Sequence, residues 1–122
     1  MKAPRRLVER RPLLPGCLLL LVAEEPGHGY ELAQRLGRWG FHVPGPGLVY
    51  RELRTLEEAG LVRSRYRAPL KGPVPRVYEV TPGGLRALDR LTKDLEDIEG
   101  VIDELRHRQA KLSPGSGAPR EG

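Results

Sequence analysis

Leu48-Val49-Tyr50-Arg51-Glu52-Leu53-Arg54-Thr55-Leu56-Glu57-Glu58-Ala59-Gly60 is the stretch from which the rest of the chain is understood. Val49, Leu53 and Leu56 recur at i, i+4 and i+7, the spacing of a single apolar stripe along a helix. At about 100° per residue, Arg51, Arg54, Thr55 and Glu58 point away from that stripe, with Tyr50 beside them. Gly60 stands where a helix stops. The spacing therefore predicts a helix over 48–59 that buries one side and offers a polar side carrying two arginines. Just upstream, Pro44, Gly45, Pro46 and Gly47 impose a turn.

Two further helices are expected before this one. Leu13 to Ala23 is nearly continuous in Leu and Val, as in a short helix buried on most sides, and Pro26-Gly27 end it. His28-Gly29 opens a second helix through about Arg38, with His28 serving at the helix start by hydrogen bonding, and Gly37 and Gly40 break it. After Gly60 the pattern changes. Leu61 to Arg67 and Val77 to Thr81 alternate, and Pro69, Gly72, Pro73 and Pro75 place a turn between them with Lys71 near its tip. The two segments form a β-hairpin bearing positive charge.

Thr81-Pro82 has the form of an N-cap followed by a proline at the first helical position. From there Leu88, Leu91, Leu95, Ile98, Ile102, Leu105, Gln109 and Leu112 are separated by alternating steps of three and four, a heptad seam. A narrow seam with charged flanks suits a helix that pairs with a second copy of itself; packing on its own domain is the alternative. The expected fold class is mainly α with a small β-hairpin, a winged helix-turn-helix domain followed by a long C-terminal dimerisation helix. Its parts are a flexible basic arm (1–12), the winged DNA-binding domain (13–81), the dimerisation helix (82–112) and a disordered tail (113–122).

The net charge of +5 is unevenly spread. Residues 1–12 set Lys2, Arg5, Arg6, Arg10 and Arg11 against Glu9, and residues 61–80 set Arg63, Arg65, Arg67, Lys71 and Arg76 against Glu79. Two basic patches on an otherwise balanced chain point to a polyanion met by defined elements. A B-DNA major groove admits one helix, so double-stranded DNA is the expected partner. Arg51 and Arg54 would reach guanine edges or phosphates, and Thr55 a base edge. Tyr50 would meet a phosphate or pack half-buried. Arg63, Arg65, Lys71 and Arg76 of the wing would lie along the backbone or in the adjacent minor groove.

Other chemistry finds little support. Cys17 is alone, so no internal disulfide forms, and its apolar neighbours would bury the thiol. Leu14-Pro15-Gly16-Cys17 superficially resembles a lipoprotein processing site, but the apolar run Leu18 to Ala23 follows the cysteine where a signal would need it first. That run is also too short to span a bilayer, and the expectation is an unprocessed cytoplasmic protein without a membrane partner. His28, His42 and His107 have no metal-ligand spacing with each other or with Cys17, so neither enzyme activity nor a cofactor or metal is expected.

The residues resemble the PadR family of bacterial transcriptional regulators, dimeric winged-helix repressors, from about Leu13 to Leu112. His28-Gly29-Tyr30-Glu31-Leu32 is similar to the start of the family's second helix, and Gly47-Leu48-Val49-Tyr50 with Leu53 and Leu56-Glu57 to its recognition helix. Gly60-Leu61-Val62 and Tyr78-Glu79-Val80-Thr81, followed by Gly84, are similar to the borders of its wing. The resemblance implies a regulator, a repressor in the family's usual mode, that binds an inverted-repeat operator as a homodimer through helix 48–59 and the 61–80 wing. It also allows a small-molecule effector of unknown chemistry. Some members hold planar aromatic compounds between the dimer helices, but no aromatic residue occurs from Glu79 to Gly122. The chain departs from the family at Gly45 and Leu48, where a Ser or Thr near the helix start is common. An exposed Leu48 would meet a thymine methyl or a protein, and the alternative function is a winged-helix protein-interaction module, using the heptad helix or the Leu48 face, with weak or no DNA binding.

Overall fold

The computed structural model describes residues 10–41, 45–66 and 76–113. In chain order these form α1 (Leu14–Glu24), β1 (Gly27–His28), α2 (Gly29–Arg38), α3 (Pro46–Glu58), β2 (Val62–Tyr66), β3 (Arg76–Val80) and α4 (Pro82–Leu112). Three short helices, a small sheet and a long helix make a winged helix-turn-helix, as the apolar periodicities predict. The expected hairpin is one part of a three-stranded antiparallel sheet of order β1-β3-β2. Gly27 and His28 pair with Tyr78 and Val77, adding a strand too short to show any alternation in sequence.

α1 contributes Leu14, Leu18, Leu19 and Val22 to the core, α2 contributes Leu32 and Leu36, and α3 contributes Val49, Leu53 and Leu56. Val62 and Tyr78 close it from the sheet. The start of α2 is held by a reciprocal pair of bonds. The Glu31 backbone N–H donates to His28 Nδ1 at 3.3 Å, and the His28 N–H donates to Glu31 Oε1 at 3.1 Å. This is a capping box with an imidazole in place of the usual hydroxyl. At the start of α3, Pro46 and Gly47 lie inside the helix rather than in the expected turn, because a proline in the first turn lacks only an N–H that would have had no partner.

α2 and α3 end in the same way. Gly40 and Gly60 adopt φ of +94° and +78°, and the following residues Phe41 and Leu61 donate back to the carbonyls of Leu36 and Leu56 at 3.3 and 2.9 Å. These are Schellman closures, in which the left-handed residue lets the chain turn sharply and return an apolar side chain to the core.

The chain divides into two compact units, the first extending through Leu88 and the second beginning at Asp89. Thr81 caps α4, its hydroxyl accepting from the Gly84 N–H at 3.0 Å and donating to the Gly60 carbonyl at 2.6 Å. A Cβ at Gly84 would collide with the Leu61 carbonyl, so glycine permits this approach. Ala87 and Leu88 then pack against the core, and the winged unit takes in the first turns of α4 beyond the expected limit at 81. At the other end, Arg11–Leu13 form a 3-10 turn and Arg10 Nη1 donates to the Gly40 carbonyl at 2.8 Å. The inner end of the expected arm thus carries this turn, while residues 1–9, like 114–122 of the expected tail, lie outside the described residues.

Replacing Gly60 with alanine is expected to lower the unfolding free energy by about 1–2 kcal/mol, the penalty for an L-residue in the left-handed region. Gly37, inside α2 with open space at its Cβ position, should instead gain about 0.5–1 kcal/mol on replacement by alanine. Urea unfolding of both variants at one protein concentration checks the opposite signs.

Candidate nucleic-acid interface

The buried stripe of α3 leaves Tyr50, Arg51, Arg54, Thr55 and Glu58 exposed. Neither Arg51 nor Arg54 has an ion-pair partner among the described residues. Thr55 Oγ1 donates to the Arg51 carbonyl one turn back at 3.2 Å, which turns its hydroxyl toward the helix backbone. Tyr50 is 42% exposed, yet its ring lies against Gly29, where any Cβ would collide with it. It therefore joins the start of α2 to the exposed side of α3, and only glycine fits beneath it.

Leu48 is not part of that exposed face. It lies half-buried against the core, about 80° around the helix from Leu56 and so at the margin of the apolar stripe. Less of its side chain is therefore offered on that face than an exposed leucine would offer.

Strand register separates the wing cations into two groups. Arg63 stands opposite Glu79, Ser64 opposite Tyr78, Arg65 opposite Val77 and Tyr66 opposite Arg76. Because side chains alternate between faces, Ser64, Tyr66, Arg76 and Tyr78 share a parity that Arg63, Arg65 and Glu79 do not. On the first parity, Glu57 of α3 accepts from the Ser64 N–H at 3.2 Å and from its hydroxyl at 2.8 Å, tying α3 to β2. A cleft of about 290 Å³ lies between α3 and the sheet, lined by Tyr50, Arg54, Glu57, Arg76 and Tyr78. On the second parity, Glu79 takes Arg63 Nε at 2.9 Å and Arg65 Nη2 at 2.6 Å. The two guanidiniums hold the Glu79 carboxyl below the usual glutamate range.

Of the wing cations expected along the DNA backbone or in the adjacent minor groove, Arg76 thus joins the α3 face, Arg63 and Arg65 are engaged by a carboxylate on the other, and Lys71 lies outside the described residues. Glu57, Tyr66 and Glu79 were not singled out by spacing, since the partners of Tyr66 and Glu79 are apparent only from the hairpin register and that of Glu57 only from the packing of α3 on β2. The helix seam is likewise divided. Leu88 packs in its own unit and Leu91 is half-buried. In the second unit, Leu95, Ile98, Ile102, Leu105 and Leu112 are 37%, 47%, 46%, 61% and 81% exposed in the single chain.

Among the described residues, no helix is long and apolar enough to cross a membrane, and no group of three or more His, Cys, Asp or Glu could hold a metal ion. Burial raises the Cys17 thiol above its ordinary value, which disfavours the reactive thiolate.

The profile of the family described as transcriptional regulator PadR-like matches residues 18–90. Among solved structures, the chain is similar to a conserved protein of unknown function described as a potential transcriptional factor, with 36% identity, a TM-score of 0.71, and coverage of 91% of this chain and 97% of that one. It is also similar to a candidate transcriptional regulator from Thermoplasma acidophilum, with 30% identity, a TM-score of 0.69, and coverage of 81% and 97%. A PadR-like transcriptional regulator from Bacillus cereus matches with 26% identity, a TM-score of 0.68, and coverage of 79% and 93%. A comparison with curated proteins finds no match.

Glu79→Gln removes the internal counter-charge of Arg63 and Arg65 while keeping the side chain's shape. It should strengthen binding to random-sequence duplex DNA and steepen the log–log salt slope by about 0.9 for each arginine that then meets a phosphate. An unchanged slope would count against the pairing as a restraint. Because the folded carboxyl is shifted down, its stabilising contribution is present above the unfolded value and lost as pH falls through the folded one. A carbon-detected NMR titration of Glu79 should therefore show its midpoint below the normal glutamate range.

Proposed function

Because the chain belongs to the PadR-like family of transcriptional regulators, we propose that it binds duplex DNA as a homodimer and represses transcription from an inverted-repeat operator. The observation that carries this reading is the two-sided α3. Val49 and Leu53 are completely buried, while Arg51 and Arg54 are exposed and free of carboxylate partners among the described residues. A helix so arranged presents forked donors to base edges without loosening its own packing. Arg76 and Tyr50 flank the same face and suit phosphate contacts that set its register on the duplex.

The exposed apolar seam of α4 supports the dimer. Leu95, Ile98, Ile102 and Leu105 repeat at heptad spacing, and a second copy supplies the same stripe. Burying such a side chain fully contributes about 1.5–3 kcal/mol. Two α3 helices presented by a two-fold dimer read half-sites about one helical turn apart, and a dimer seated on a promoter obstructs transcription there.

Fluorescence anisotropy with promoter-proximal duplexes tests the DNA reading. The Arg51→Ala/Arg54→Ala variant should lose about 1–3 kcal/mol for each base contact removed. Equal and weak binding by wild type and variant would sink it. For the dimer, Ile98→Glu/Ile102→Glu should give a monomer by light scattering with much weaker operator binding, and a wild type that is already monomeric at micromolar concentration would refute that part.

A further inference from the structure

We propose that Tyr66 is a positioning residue for Arg76, holding its guanidinium beside the cleft between α3 and the wing so that Arg54 and Arg76 together take one backbone phosphate of the duplex. The inference rests on the DNA-binding reading above and gives it a specific phosphate seat.

The hairpin register places Tyr66 and Arg76 directly opposite each other. Arg76 Nη2 donates to the Tyr66 hydroxyl oxygen at 2.7 Å, and its Cζ lies 5.0 Å from the Tyr66 ring centroid. A long, flexible side chain is thereby held by a cation–π contact and a hydrogen bond at once, which limits the ordering left to do when an anion arrives. The Tyr66 hydroxyl takes one of the five guanidinium donors and the Tyr78 side chain also interacts with the group, which still leaves donors for oxygen acceptors.

The chemistry of the partner distinguishes Arg76 from its neighbours. Arg63 and Arg65 are met by the Glu79 carboxylate, which cancels charge as it orients. Tyr66 is a neutral phenol and orients Arg76 without cancelling its charge. Tyr66 is also 61% exposed, so its ring does not serve the core.

The cleft fits a phosphate in kind. Arg54 and Tyr50 come from α3, Arg76 from β3, and the buried Tyr78 completes the lining. Glu57 is the one carboxylate among these lining residues, and its Oε2 is engaged by the backbone N–H and the hydroxyl of Ser64. A phosphate set between Arg54 and Arg76 would be contacted by the reading helix and the wing together, which fixes the angle at which α3 meets the groove.

The test is a double-mutant cycle on duplex binding across several salt concentrations, using wild type, Tyr66→Leu, Tyr66→Phe, Arg76→Ala and Tyr66→Leu/Arg76→Ala. Arg76→Ala should make the log–log salt slope shallower by about 0.9. Tyr66→Leu should weaken binding severalfold with the slope moving the same way. Tyr66→Phe, which keeps the ring and loses the hydroxyl, should fall between Tyr66→Leu and wild type. The double variant should bind like Arg76→Ala alone. Losses that multiply in the double variant, or a Tyr66→Leu protein that binds like wild type, would overturn the proposal while leaving DNA binding intact. If circular dichroism shows Tyr66→Leu unfolded, Tyr66→Phe takes its place in the cycle, and affinity and slope equal to wild type then overturn it. A wild type that binds no duplex fails at the earlier step and removes both readings.

Discussion

What α3 offers to a partner depends on how that helix is turned about its own axis, and the rotation is set by Val49, Leu53 and Leu56 against the leucines of α1 and α2. Truncating one such leucine to alanine typically costs about 2–5 kcal/mol, a large share of the roughly 5–15 kcal/mol that holds a domain together. The polar side reinforces the same choice. A turn of one residue would carry an arginine toward apolar side chains with no carboxylate to meet it, and an unpaired buried charge is strongly unfavourable. Apolar gain and charge penalty therefore select the same orientation. The presentation of Arg51 and Arg54 is thus a property of the core as much as of the surface.

Backbone closures then hold α3 from both ends. At its start, the ring of Tyr50 lies against Gly29, the first residue of an α2 whose N-terminus is secured by His28 and Glu31. At its end, Leu61 donates to the Leu56 carbonyl and Thr81 bonds to the Gly60 carbonyl, so the C-terminus of α3, the residue leading into β2 and the start of α4 share one junction. Glu57 adds a side-chain link to β2 through Ser64. Each attachment joins α3 to a different element, and together they resist both rotation and sliding.

Much of this was legible in the sequence wherever periodicity carried the information. The three short helices, the two hairpin strands and the span of α4 follow from apolar spacing, capping residues and glycine stops. Three features were beyond it. β1 is two residues long and has no period. Leu48 and Leu88 were placed by spacing alone, which identifies an apolar position without saying which surface covers it; both pack on their own domain. Likewise Arg63, Arg65 and Arg76 are equivalent as positive charges along a basic stretch, and only the strand register reveals that two share a carboxylate and the third makes a cation–π contact with a tyrosine. Composition counts charge, but pairing decides how much of it acts at a distance.

The Glu79 pairing has a kinetic side. A chain with a sequence pI near 9.8 is drawn to any nucleic acid, and a protein held too firmly by arbitrary sequence spends its time away from its operator. In the proposed complex, a built-in anion for two of its arginines would lower the wing's grip on random DNA more than it would weaken the attraction of the α3 face. Residence on wrong sites would then shorten and more sites would be sampled per unit time, so that on the proposed reading an acidic residue amid basic ones bears on the speed of the search.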